Sequence, residues 1–98
     1  CWDTSEITDM SYLFSSGTFR KRDYHINEPI DCWDVSKVTN MTSMFEGSIM
    51  FNQYLNSWDV SSVTDMSFMF SGATSFNQDI GNWNVSSVTA MFAMFYYD

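Results

Sequence analysis

A tryptophan returns at positions 2, 33, 58 and 83, and each opens a version of the same thirteen residues. The copy from Trp58 to Phe70 reads Trp-Asp-Val-Ser-Ser-Val-Thr-Asp-Met-Ser-Phe-Met-Phe. The first interval is 31 residues and the next two are 25. A fixed period of this length means that one structural unit is used repeatedly, and that no unit buries its apolar face alone. The units run 1–31, 32–56, 57–81 and 82–98, all within one domain of 98 residues. The first carries an insert within Thr18–His25, after which Ile26-Asn27-Glu28 restores the register of Phe51-Asn52-Gln53 and Phe76-Asn77-Gln78.

Within a unit the apolar spacing changes. Leu55, Trp58 and Val60, like Ile80, Trp83 and Val85, end on a two-residue step that predicts a strand with Asp59 or Asn84 outward. Val63, Met66, Met69, Phe70 and Ala73 then follow the spacing of one helix face. Thr64 is placed as its N-cap, Asp65 in its first turn and Gly72 at its end. Stacking such units predicts a short α/β solenoid of about four coils, right-handed, with a parallel β-sheet on one side and short helices on the other. Its core would be ladders of Trp2/Trp33/Trp58/Trp83, Met10/Met41/Met66/Met91 and Phe14/Phe45/Phe70/Phe95. Trp alternating with an outward Asp belongs to the core rather than to a carbohydrate-stacking surface, and Asn27, Asn52 and Asn77 are expected to form an internal hydrogen-bond ladder.

The pattern Trp-Asp-Val-Ser-x-Val-Thr-x-Met-x-x-Met-Phe, followed by Phe-Asn-Gln-x-Ile, resembles the 25-residue repeat of BspA-like leucine-rich-repeat surface proteins. The resemblance covers almost the whole chain and is closest over Cys32–Gly81. It implies a leucine-rich-repeat-like solenoid on secreted or cell-surface proteins, with structural or adhesive roles and no catalytic activity. The insert at 18–25 and the shortness of the array depart from that pattern.

Four Lys or Arg stand against twelve Asp or Glu, a net charge of −8. That balance argues against nucleic acid and against an anionic bilayer, both of which need a positive surface. No apolar run approaches the ~18 residues of a membrane span. Neither is there a basic-then-apolar signal segment, and a chain opening on Cys1 is expected to be a processed product, a fragment or a portion of something longer.

The column Asp3, Asp34, Asp59 and Asn84 has two readings. One is a cation or partner face, with Ca²⁺ as the natural hard cation. The other is a solvated face whose carboxylates accept bonds from hydroxyls such as Ser36 and Ser61. Ca²⁺ is the one cofactor that either reading admits, and no zinc site is expected, because His25 is the only histidine and two thiols do not close one. Cys1 and Cys32 share a repeat position, so adjacent units bring them within disulfide reach and imply an oxidising, extracellular setting. A bond to another chain, two free thiols and a lipid anchor on Cys1 are the alternatives. Asn40-Met-Thr42 and Asn84-Val-Ser86 are glycosylation sequons that also fall inside the repeat pattern. Of the two, Asn84 on the outward face is the better acceptor.

Arg20, Lys21 and Arg22 are three of the four basic residues and lie together in the insert. They make either a docking loop for the acidic face of another copy or a solvated loop balancing local charge. No nucleophile has a histidine and an orienting carboxylate to go with it, so no enzyme is expected. The chain begins on a strand motif and stops after Phe95-Tyr96-Tyr97-Asp98, where the two tyrosines either make a makeshift aromatic cap or leave the end open as an interface. Uncapped ends invite coil-on-coil contact between copies, which is heterologous and extends into a filament unless it closes. The expectation is an extracellular or cell-surface structural or adhesive protein that partners other copies of itself end to end, or another surface protein. The alternative is a ligand- or Ca²⁺-binding module using the acidic face.

Overall fold

The computed structural model describes residues 3–15 and 30–96. Among these there is no helix and no extended strand, and the regular pairing is three isolated parallel bridges, Asp9 to Asn40, Asn40 to Asp65 and Asp65 to Ala90. The α/β leucine-rich-repeat-like solenoid with a parallel sheet and short helices is therefore not what the chain forms. The units are turn after turn, gathered into a body with a radius of gyration of 12.3 Å, close to the ~13 Å of a compact domain this long.

The backbone of the third unit shows why the helix is replaced. The N–H groups of Met66, Phe68, Phe70 and Gly72 point sideways to the carbonyls of Ala90, Phe92, Met94 and Tyr96 in the next unit. Alternate N–H groups, those of Met69, Ser71 and Ala73, bond locally to Met66, Phe68 and Phe70, three residues back. The remaining amide, Ser67, donates to the Asp65 carboxylate at 2.9 Å. Every donor in the stretch is thus used, and none is left for an i→i−4 ladder. Phe68 also has φ of 59°, a left-handed conformation that no helix accommodates. Thr64 does not cap a helix either, since its Oγ donates to the Thr39 carbonyl at 3.1 Å. The spacing of three that reads as helix in the sequence is equally the spacing of successive three-residue turns.

The predicted strand fares similarly. Around Trp58 and Val60 the chain makes turns, with Trp58 N–H bonding to Leu55 and Val63 N–H to Val60. Asp59 turns the backbone by accepting from Ser61, an Asx-turn that competes with extended pairing. Among the described residues the bridges to neighbouring units fall at one residue per unit, Asp65 in this one, outside the predicted strand.

Equivalent turns nonetheless stack in register, and their side chains fill the centre. Phe14, Phe45, Phe70 and Phe95 lie ring over ring with centroids 5.5, 5.5 and 5.6 Å apart and planes within 11° of parallel. Phe51 and Phe76 add a second, shorter stack at 5.8 Å. Trp58 and Trp83 are buried, and Met41, Met44, Met66 and Met69 fill the gaps between rings. Each buried indole is anchored: Nε1 of Trp58 donates to the Ile30 carbonyl and Nε1 of Trp83 to the Leu55 carbonyl, both at 2.9 Å. Among the described residues no buried side-chain nitrogen or oxygen lacks a partner.

Candidate interaction surfaces

The outward carboxylates are turn-makers first. Asp3, Asp34 and Asp59 each accept from the Oγ and the N–H of the serine two residues on, Ser5, Ser36 and Ser61. The Oγ contacts are all 2.6 Å. Asn84 plays the same part with the N–H of Ser86 at 3.1 Å. The serine hydroxyl, then the serine N–H, holds Asp3, Asp34 and Asp59 below the ordinary carboxylate range. Charge repulsion from the neighbouring carboxylate acts the other way on Asp34 and Asp59, as a smaller effect.

A second column runs alongside, which the sequence reading did not separate out. Asp9, Asn40 and Asp65 accept from the N–H of Ser11, Thr42 and Ser67, each at 2.9 Å. Both columns obey one rule, Asx-x-Ser/Thr, and that tripeptide was the signal available. It explains the two sequons: Asn40-Met-Thr42 and Asn84-Val-Ser86 are the amide versions of a turn that aspartate makes elsewhere. Asn84 is exposed and Asn40 half-buried.

The columns do not converge. Among the described residues, no three His, Cys, Asp or Glu side chains come together in a way that could hold a metal ion. Lys37 bonds Glu6 of the preceding unit at 2.8 Å, with both side chains largely exposed, so the pair contributes little to stability. Cys32 is exposed. Cys1 and the basic residues Arg20, Lys21 and Arg22, with His25 and Asn27, lie outside the described residues. Asn52 accepts from the N–H of Asn77 and from Gln78, linking one unit to the next.

Two apolar surfaces stand out from this polar setting. Ile49, Met50 and Tyr54 are exposed where the third unit carries Thr74, Ser75 and Asp79. The larger surface is the last unit. Val60, Met66 and Phe70 are 1%, 0% and 0% exposed, whereas their equivalents Val85, Met91 and Phe95 are 39%, 43% and 48% exposed. Phe92 and Tyr96 are exposed beside them. Tyr96 therefore does not seal this face as the sequence leads one to expect, and Tyr97 lies outside the described residues.

Residues 15–98 of the chain match a family described as "Mycoplasma protein of unknown function, DUF285". The chain belongs to this family. Membership of DUF285 agrees with the BspA-like resemblance at the level of a surface-associated repeat family, and nothing more specific. Neither a curated protein nor a solved structure matches the DUF285 chain. Among its described residues no helix is long and apolar enough to cross a membrane.

Proposed function

We propose that the chain is a non-enzymatic structural or adhesive protein of the cell surface that associates end to end with copies of itself. The observation that carries this reading is the exposed apolar face of the last unit, built from the residue types that every earlier unit buries. Family membership supports the surface setting. A Cys1–Cys32 disulfide fits the same setting, and intact mass under non-reducing conditions, before and after reduction, checks it.

Sedimentation velocity of the 98-residue chain tests the association. Oligomers that grow with protein concentration are the expected result, and a monomer up to the solubility limit would overturn it. Labelling of intact cells by an antibody against the chain is the corresponding test of surface location.

A further inference from the structure

We propose that Met50 is a site of oxidation, at which a peroxide turns the apolar surface of the second unit polar without disturbing the stacked core. The site lies on an inner unit and needs no association between copies.

The second and third units hold five methionines. Met41, Met44, Met66 and Met69 are all 0% exposed, whereas Met50 is 60% exposed. Met91 is exposed as well, but it stands in the ladder of Met41 and Met66. Met50 stands in no ladder, and in the third unit its place is taken by Ser75.

That third unit shows what the backbone tolerates at this position. Phe51 N–H donates to the Ser48 carbonyl and Phe76 N–H to the Ala73 carbonyl, both at 3.1 Å. One three-residue turn therefore carries Ile49 and Met50 in one unit and Thr74 and Ser75 in the next. The ring that follows the turn packs alike in both, Phe51 on Phe45 at 3.9 Å and Phe76 on Phe70 at 4.2 Å. A polar side chain at the place of Met50 is thus compatible with both the turn and the stack.

A thioether in water is open to two-electron oxidation. Its sulfur attacks one oxygen of hydrogen peroxide, an S–O bond forms, the O–O bond breaks and water leaves. Methionine becomes the sulfoxide, the peroxide is reduced, and thiol-dependent reductases restore the thioether. At Met41, Met44, Met66 or Met69 the new oxygen would be a buried polar atom without a partner, and peroxide reaches those sulfurs only when the core opens. At Met50 the oxygen faces solvent. Net charge is unchanged, so the effect is one of polarity: the surface of Ile49, Met50 and Tyr54 comes to resemble that of Thr74, Ser75 and Asp79.

Oxidation of the folded full chain by hydrogen peroxide, with tandem mass spectrometry of its peptides, tests the site. Met50 is expected to oxidise at least about ten-fold faster than Met41, Met44, Met66 and Met69, the ratio that an opening free energy of only ~1.4 kcal/mol imposes on a buried group. In denaturant the five should react at one rate. Met91→Leu removes the other exposed thioether, and that chain reads the consequence. Oxidation at Met50 should leave its Tm unchanged and shorten its retention on a hydrophobic-interaction column, as Met50→Gln should without peroxide. Met50→Leu should keep the longer retention and lose the response to peroxide. Met50 reacting no faster than the four buried methionines would overturn the site. A fall in Tm on oxidation at Met50, or unchanged retention, would overturn its separation from the core.

Discussion

Nε1 of Trp83 donates to the carbonyl of Leu55, 28 residues earlier, as Nε1 of Trp58 does to Ile30. The indole thus spans a unit boundary with its ring in the core and its one polar atom spent on the neighbouring backbone. Trp58→Phe retains an aromatic ring but leaves the Ile30 carbonyl without that donor. Removing one partner of a buried hydrogen bond costs about 1–3 kcal/mol, and the smaller ring adds to it. The expected outcome is a fall in Tm of roughly 10 °C, at about 4–8 °C per kcal/mol for a domain this size. A thermal melt checks it.

Backbone strain offers a pair of substitutions of opposite sign. Tyr12, Ser43, Phe68 and Ala93 occupy the same place in four units, and all have φ between 52° and 61°. Left-handed conformations cost a non-glycine residue about 1–2 kcal/mol, while glycine raises unfolded-chain entropy by about 0.4–1 kcal/mol. Ala93→Gly, which removes only a half-buried methyl, is expected to be stabilising by a few tenths of a kcal/mol. Gly72 has φ of 74°, and a Cβ there would sit 3.5 Å from the backbone of Gly47, an ordinary contact. Gly72→Ala is therefore expected to cost about 1 kcal/mol through conformation rather than collision. Urea denaturation midpoints of the two variants distinguish these signs.

Acid should unfold the protein through its turns. Asp3, Asp9, Asp34, Asp59 and Asp65 are all lowered from the ordinary value of 3.8, each by bonds from the serine two residues on. A carboxylate that titrates lower folded than unfolded contributes stability above its unfolded pKa, and that contribution disappears as pH falls through the folded value. Stability is thus expected to decline below about pH 4 and to keep declining through the lowered native values. Asp59→Asn, which copies the arrangement at Asn84, should flatten that decline. Urea titrations at a series of pH values from 7 to 2 measure the slope.

Calcium should leave the fold alone. Each column carboxylate already spends an oxygen on its own turn, and the columns bring no three acidic groups together among the described residues. Calcium ions need six to eight oxygens. No shift in Tm and no heat on titration with millimolar Ca²⁺ are the expected outcomes, and a saturable heat would contradict this account.

The sequence carried the stacking and misassigned the backbone. Phe45, Phe70 and Met66 are legible as core because equivalence across units identifies inward positions whatever the backbone does between them. The helix over Val63–Ala73 was not legible as a series of turns, because a three-residue step satisfies both. What decides between them lies outside any single unit: the amides of Met66, Phe68 and Phe70 find acceptors in Ala90, Phe92 and Met94. The columns were half legible. Asp59 and Asn84 stand out beside tryptophan, while Asp9, Asn40 and Asp65 were absorbed into the supposed helix start. The exposed Ile49, Met50 and Tyr54 were invisible as a surface because apolar residues in a repeat read as core by default.

The alternation of sideways and local amide bonds also sets how such a chain changes in evolution. A change within the stacked turns of an inner unit is felt at two junctions, since that unit lends donors to one neighbour and acceptors to the other. A whole unit, by contrast, can be gained or lost by duplication or deletion of 25 residues with every kind of contact preserved, and only the number of contacts changes. Length is then a free parameter of this architecture.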